Sequence, residues 1–358
     1  MNDHNAATGS PESGLPILSA TILDVGHGNS AVVRDGDLSA VIDAAPGDIV
    51  LRELERVQAK RIEHLVISHS DQDHAGGGPK VLLDDARTIG TVWFNADARK
   101  NTRIWRRLLH AVHTRVSRGG CDGHQMLHTE IPQTLRCGRA RLEVCHPSIL
   151  MAGTGPTKES EDFGRLDTNT VSIVIRVHLD ERPAVLLAAD MDAKALDHIR
   201  SHGRDLAAPV LVFPHHGGLP GSADPETFAN TLTELVAPEL VIFSIRSGPR
   251  PANPNHGIVM GVRRAAPKAH IACTQLSVHC HDKDHLVSEG HLAVLPADGR
   301  RSGRACVGSV MITSTPQGLV LDPPLARHRE FVDAGVSTPL CRATLPLPRR
   351  RSINLEVQ

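Results

Sequence analysis

Short apolar runs alternate with amphipathic segments along most of the chain, and this alternation most narrows the possible folds. Runs such as ILSATILDV, EHLVIS, AVLLAA, PVLVF and LVIFSI have the length and composition of buried β-strands. Segments 48–60 and 224–236 have the apolar spacing of helices. Some strands follow one another directly and others are separated by a helix, so we predict an α/β fold, a layered sandwich with mixed sheets.

The ends of the chain differ in composition from this alternating part. Residues 1–15 are polar and carry Ser, Gly and Pro, which predicts a disordered arm. Residues 16–321 are expected to form the folded domain. Residues 322–358 are rich in Pro and Arg, which predicts a loosely docked or disordered tail.

Charge and aromatic content limit the classes of partner. The 39 Lys and Arg nearly balance the 40 Asp and Glu, so the net charge of −1 does not by itself indicate a nucleic-acid binder. The chain has no Tyr, 6 Phe and 2 Trp, which leaves few platforms on which bases could stack. A nucleic acid would therefore be held mainly through its phosphates.

Cysteine usage and the apolar runs bear on the compartment. Seven scattered Cys suit a reducing cytosol better than a disulfide framework. No N-terminal signal pattern is visible, and no apolar run reaches the roughly 18 residues of a membrane span. We therefore expect a soluble cytoplasmic protein with no membrane association.

The segment LVISHSDQDHAGGG, residues 65–78, concentrates metal-binding side chains at the end of a predicted strand. It places His69, Asp71, Asp73 and His74 in one tight loop. This nitrogen and oxygen set suits zinc, manganese or iron better than calcium or a thiolate site. The alternative is a solvated polar loop. The same placement after a strand recurs at four further residues, which favours a metal centre: His146, Asp190, His215 and His216.

Five stretches together resemble the metallo-beta-lactamase fold, and more narrowly the hydrolase domain of DNA-uptake channel proteins of the ComEC type and their stand-alone relatives. They are LDVGHGNSAVV with VIDAAPG, SHSDQDHAGG, NTVSIVIRV with VLLAADMDAKA, FPHHGG, and NPNHGIVMGVRRAAPKAHIACT. The stretches span residues 21–274 in the family's order. The resemblance implies a four-layer αββα sandwich with two mixed sheets. His27 and Asn29 depart from the family's usual VGQGD.

The resemblance also implies a site with two divalent metal ions, either zinc or manganese. The first ion would take His69, Asp71 and, as the best-placed candidate, His146, which could equally be an ordinary loop residue. The second would take Asp73, His74 and one His of the PHHGG pair, with Asp190 bridging both ions. Asp71 stands where the family has a second His, which makes the first site harder and favours manganese.

Three residues are candidates for catalysis. Asp73 could also orient the attacking hydroxide. From the family's pattern, His216 is expected to be the ligand, and His215 would face the substrate as a general acid. His256 matches a family residue near the mouth of the site and could contact phosphate or protonate the leaving group. The alternative for His256 is a residue that begins a helix and has no catalytic role.

The segment 99–118 forms a basic insertion after the metal loop. Trp105, Leu108, Leu109, Val112 and Val116 fall at helical spacing, which predicts one apolar face. The cationic side chains include Arg99, Lys100 and Arg115, and we expect three others to bind substrate: Arg103, Arg106 and Arg107. The alternative is a solvated helix face that only covers the sandwich.

A second Cys and His group lies towards the C-terminus. Cys273, Cys280 and Cys306, with His285 nearby, could form a structural zinc site. The spacing lacks a CxxC pair, and ordinary buried cysteines are the alternative.

These features favour a dinuclear metal-dependent hydrolase. The expected activity is that of a phosphodiesterase or nuclease that cleaves DNA or another nucleotide substrate through a hydroxide bridging the ions. Hydrolysis of another ester or thioester remains an alternative within enzymes. Outside enzymes, the chain could be a metal-bearing binding subunit of a larger complex.

Overall fold

Two mixed β-sheets form the centre of the protein. The computed structural model describes residues 17–97, 100–131, 134–280 and 287–343. Within these ranges the first sheet has eight strands in the order β15-β14-β1-β2-β3-β4-β5-β6. Its strands are β1 (Leu18–Ile22), β2 (Ala31–Asp35), β3 (Leu38–Ile42), β4 (Arg61–Ile67), β5 (Thr88–Phe94), β6 (Asp122–His124), β14 (Val310–Thr315) and β15 (Gly318–Asp322).

The second sheet has seven strands within the same described ranges, in the order β13-β12-β11-β10-β9-β8-β7. They are β7 (Leu135–Cys137), β8 (Ala140–His146), β9 (Val174–Leu179), β10 (Arg182–Leu187), β11 (Val210–Val212), β12 (Leu240–Phe243) and β13 (His270–Cys273). Strands β3 to β6 are parallel in the first sheet, and β10 to β13 are parallel in the second. The other pairs are antiparallel.

Ten α-helices lie within the described residues, and several of them cover the outer faces of the sheets. They are α1 (Ile49–Arg56), α2 (Gln72–Ala75), α3 (Gly78–Leu82), α4 (Arg103–Ser117), α5 (Ile149–Thr154), α6 (Ala193–Ser201), α7 (Pro225–Val236), α8 (His256–Ala265), α9 (Asp298–Ser302) and α10 (Leu325–Gly335), with 3₁₀ turns at Pro214–Gly217 and Leu340–Arg342. None of the helices in the described residues is long and apolar enough to span a bilayer.

Three apolar layers account for the four-layer arrangement. Between the sheets, Val33 and Ile42 of the first sheet pack with Ile175 and Val212 of the second. Outside the first sheet, α1, α3 and α4 bury residues such as Leu54, Leu82 and Leu108. Outside the second sheet, α6, α7 and α8 bury residues such as Leu196, Leu232 and Val262. The predicted αββα sandwich with two mixed sheets is confirmed.

Side chains alternate between the two faces of a strand, so β9 contributes residues to both faces of its sheet. In β9, Ile175 and Val177 point into the core between the sheets. The alternate residues Arg176 and His178 lie on the other face, where both bond the carboxylate of Glu143. Buried polar groups on that face are thus paired, as burial requires.

The C-terminal segment differs from the predicted tail. Residues Gly318–Asp322 complete β15, and α10 follows with His328 and Val332 buried. The described part of 322–358 is therefore folded and docked. The high content of Pro and Arg gave no indication of these buried residues. The predicted arm at 1–15 and the rest of the tail, 344–358, lie outside the described residues.

Acid should destabilise the fold through the buried pair His270 and His328. Burial lowers the pKa of His328 to about 3 and that of His270 to about 4. Below pH 6.5 these two histidines take up protons in the unfolded chain but stay neutral in the folded protein. The free energy of unfolding therefore falls as the pH falls. Each group contributes up to about 1.4 kcal/mol per pH unit. Urea denaturation between pH 7 and pH 4 should show a shallower pH dependence for His328→Asn; an unchanged slope would contradict this.

Candidate metal centre

The ends of parallel strands bring the candidate side chains together. In the first sheet, Asp43 directly follows β3, and His69 lies two residues after β4. In the second sheet, Asp190 lies three residues after β10, and the 3₁₀ turn with His215 and His216 follows β11. Parallel strands present their carboxyl ends at one edge of a sheet. The loops of the two sheets therefore meet at one edge of the sandwich.

Four side chains form a compact donor group. Among the residues that the structure describes, one group of three or more possible ligands has all its donor atoms within 4.8 Å of one another: Asp73, His74, Asp190 and His216. Asp190 Oδ1 lies 3.1 Å from His74 Nε2 and 3.6 Å from His216 Nε2. Asp73 Oδ2 lies 3.1 Å from His216 Nε2.

The buried atoms at the centre of the site fit a divalent cation. His69 Nε2, His74 Nε2 and Asp190 Oδ1 are buried without a hydrogen-bond partner. His74 Nε2 and Asp190 Oδ1 lie 3.1 Å apart, and neither atom forms a hydrogen bond. Unsatisfied buried polar atoms are costly. Imidazole nitrogens and carboxylate oxygens in this arrangement suit zinc or manganese.

The outer nitrogen of each imidazole has an acceptor, which fixes the ring. His74 Nδ1 lies 2.7 Å from Asp43 Oδ2, and His216 Nδ1 lies 2.9 Å from the carbonyl oxygen of Ser244. His69 Nδ1 lies 3.0 Å from Ser68 Oγ, whose own proton goes to Asp43. Each Nδ1 therefore donates a proton outwards. Each Nε2 faces inwards, where it would offer its lone pair to a bound cation.

The electrostatics of the site favour a bound positive charge. Burial would raise the pKa of Asp190, but His74 and His216 and a hydrogen bond from His215 hold it well below its usual value. Burial likewise opposes ionisation of Asp73, while His216 and His74 keep its pKa low. Both carboxylates are thus anionic. Asp190 and Asp43 raise the pKa of His74 well above its usual value despite its complete burial.

The two neighbouring histidines of the PHHGG stretch differ in side-chain exposure and in contacts. His215 and His216 both have positive φ, 52° and 54°, and Gly217 follows at 75°. This left-handed turn costs energy for non-glycine residues and is typical of functional sites. The His216 side chain is 3% exposed and joins the donor group. The His215 side chain is 37% exposed, and its Nδ1 lies 3.1 Å from Asp190 Oδ2.

The residues expected around the first ion are only partly assembled. His69 Nε2 lies 3.7 Å from Asp190 Oδ2 and 3.8 Å from Asp71 Oδ2. Asp71, however, forms an ion pair with Lys100. His146 lies apart from this group. Its Nε2 lies 2.8 Å from the carbonyl oxygen of Thr170, and its ring contacts that of His198. The geometry therefore gives no support to His146 as a ligand.

The remaining predicted residues lie outside the donor group. His256 begins α8 and is exposed; its neighbour Asn255 bonds Gly217, which places His256 near the rim. The buried cysteines Cys273, Cys280 and Cys306 are not gathered with a further donor into a metal-sized group within the described chain. His285 lies outside the described residues.

The basic helix α4 partly follows its prediction. Trp105, Leu108 and Val112 are buried, but Leu109 and Val116 are 36% and 38% exposed, so the apolar face is narrower than predicted. Arg115 bonds the carbonyl oxygen of Arg87 and is not a free cation. Three cations remain exposed: Arg103, Arg106 and Arg107. Arg99 lies outside the described residues.

Three site residues had no assigned role in the sequence interpretation. Asp43 orients His74, and Asn169 Nδ2 lies 3.4 Å from His215 Nδ1. His27 Nε2 lies 3.3 Å from Asp73 Oδ2. The signal for His27 was its departure from the VGQGD pattern. Gly28 permits this approach, because a Cβ there would lie 2.3 Å from the carbonyl oxygen of Asp73.

Comparison with known proteins agrees with the architecture. Residues 23–92 match the sequence model of the Metallo-beta-lactamase superfamily, and this range includes the metal loop. Together with the two mixed sheets and their helical layers, the match identifies the metallo-beta-lactamase fold.

The chain is also similar to Competence protein ComA of Neisseria gonorrhoeae, with 25% identity over 233 residues. The aligned region covers 63% of this chain and 27% of that protein, so the chain spans only part of its relative's length. Igni18, a metallo hydrolase of Ignicoccus hospitalis, is 17% identical with a TM-score of 0.41, covering 71% of this chain and 94% of Igni18. YhfI of Bacillus subtilis is 10% identical with a TM-score of 0.43, covering 71% and 96%.

Alanine variants of the two histidines in the 3₁₀ turn should differ in the amount of metal that they bind. His216→Ala removes a member of the donor group and should deplete bound metal. His215→Ala removes a half-exposed neighbour and should leave the metal content unchanged. Elemental analysis of the two purified variants, with their folding checked by circular dichroism, measures this. Full metal content in His216→Ala would place the centre elsewhere.

Proposed function

We propose that the chain is a metal-dependent phosphodiesterase that cleaves nucleic acid, with DNA as the favoured substrate. The observation that carries this proposal is the convergence of three buried, unpartnered atoms, His69 Nε2, His74 Nε2 and Asp190 Oδ1. The motif resemblance to DNA-uptake proteins and the 25% identity with a competence protein support DNA as the polymer.

The residues present would hold one metal ion with a complete donor set and the other metal ion with fewer ligands. Asp73, His74, Asp190 and His216 would hold the ion with the complete donor set. His69 and Asp71 would contribute to the other ion. To do so, Asp71 would have to break its ion pair with Lys100 and bind the metal instead. When bound, two divalent ions supply Lewis-acid activation of water and neutralise charge on the phosphoryl oxygens.

Around these ligands the chain supplies groups for binding and proton transfer. A cleft of about 450 Å³ is lined by His27, Asp73 and Arg246 among others. Arg246 can bind phosphate oxygens there, because its guanidinium carries a permanent charge. Asp73 can orient the attacking water. His215 can deliver a proton to the leaving oxygen, because the hydrogen bond to Asp190 raises its pKa and holds a proton on the ring.

The direct test measures metal content and cleavage together. The purified protein would be assayed on single- and double-stranded DNA, RNA and a small phosphodiester with Mn, Zn or Mg. Asp190→Ala should lose both metal and turnover, because Asp190 contacts both halves of the site. His215→Ala should keep metal but lose roughly 10²–10⁴-fold in rate. A metal-free enzyme that retains full activity would refute the proposal.

Helix α4 gives the cleft a cationic neighbour. It packs against α2, which carries Asp73 and His74, and against α3. Lys100, just before the helix, reaches the metal loop through Asp71. Because α4 packs beside the loop that carries the donor residues, we expect its exposed cations to attract a polymer that enters the cleft.

Neutralising Arg103, Arg106 and Arg107 with Gln should weaken DNA binding and flatten its salt dependence. Each lost phosphate contact should reduce the log–log salt slope by about 0.7–0.9. Hydrolysis of a small phosphodiester should stay nearly unchanged. The matched control replaces three exposed arginines elsewhere: Arg52, Arg182 and Arg327. Equal losses on the small substrate would mean that α4 only supports the fold.

A further inference from the structure

A second cavity lies at the edge of the sandwich opposite the metal residues. Its volume is about 290 Å³, and it is enclosed by the start of β13, the turn after α8, α10 and the 3₁₀ turn Leu340–Arg342. His270 begins β13, whereas Asp190 and His216 follow the other ends of the parallel strands β10 and β11. The cavity is therefore separate from the metal centre.

Four cationic side chains line this cavity: Arg263, Lys268, Arg329 and Arg342. None of its lining residues, all within the described chain, is a carboxylate. Arg342 has one acidic partner, Asp333, at 2.8 Å. Arg263 donates to the carbonyl oxygens of Ala269 and Cys341, which do not cancel its charge. Converging cations of this kind repel one another, and an anion between them would relieve that repulsion.

The inner wall of the cavity holds one of these cations in place. Arg329 Nε lies 3.4 Å from His270 Nδ1, and because guanidinium only donates, that nitrogen accepts. His270 Nε2 then donates to His328 Nδ1 at 2.8 Å, and His328 Nε2 donates to Cys306 Sγ at 3.2 Å. Burial and the surrounding arginines keep both imidazoles neutral. The wall thus orients Arg329 without adding negative charge.

We propose that this cavity binds a small phosphate-bearing anion. Guanidinium groups match the geometry of phosphate oxygens, and Lys268 adds a point charge. The volume is at the lower limit of small-molecule sites, which fits inorganic phosphate or a nucleoside monophosphate and excludes a polymer. The site stands on its own residues and does not depend on the function proposed for the metal centre.

Calorimetric titration of the full chain tests the site. The protein is first treated with chelator, so that phosphate bound by metal ions does not contribute. Inorganic phosphate and a nucleoside 5′-monophosphate are titrated separately. The variant K268Q/R329Q removes two exposed charges from the cavity. The matched control R52Q/R327Q removes two exposed charges that do not line it.

We expect saturable binding to the unmodified chain that K268Q/R329Q weakens by about tenfold or more, because charged hydrogen bonds are lost. The control should bind as the unmodified chain does. Tighter binding of the monophosphate would identify a nucleotide site, and equal binding a site for the phosphate group alone. Absence of saturable binding, or equal weakening in both variants, would overturn the proposal, the latter because it indicates diffuse charge.

Discussion

The carboxylate of Asp43 is the interaction on which the metal loop depends. It accepts hydrogen bonds from Ser68 N at 2.7 Å, Ser68 Oγ at 2.8 Å and His74 Nδ1 at 2.7 Å. Asp43 itself is held at φ 60°, an uncommon conformation directly after β3. The three bonds join the ends of β3 and β4 and, through Ser68, reach His69. One buried anion thereby orients two imidazoles and fixes the start of the loop.

Much of this arrangement could be predicted because it depends on local pattern. Strand ends carry the chemistry in α/β sheets, so His69, Asp190 and the PHHGG pair could be placed near one another from sequence alone. The role of Asp43 could not, because its partners lie 25 and 31 positions away along the chain. In the sequence His146 follows an apolar run like the others, but it is the last residue of β8, whose register against β9 shifts between Val144 and His146. Such an irregularity changes the face to which a side chain points.

Composition was a poorer guide than periodicity at the C-terminus. The Pro and Arg content of 322–358 suggested a tail, but α10 needs only a few burying positions to dock. Val332 and His328 supply them, and His328 finds its partners on β13 and near β14, at His270 and Cys306. A buried histidine is polar by composition, so no apolar count reveals it. Its burial depends on two hydrogen bonds to residues distant in sequence.

Although the net charge is near zero, two opposite edges of the sandwich carry clusters of opposite charge. Asp43, Asp71, Asp73 and Asp190 gather at the carboxyl ends of the parallel strands, while Arg263, Lys268, Arg329 and Arg342 gather at the other edge. Without metal, the four carboxylates would repel a polyanion from the cleft. Bound cations would reverse that sign, so under the proposed function the metal and a phosphate substrate would each strengthen the binding of the other. The proposed activity therefore requires that the cleft takes up its cations before it binds a phosphodiester.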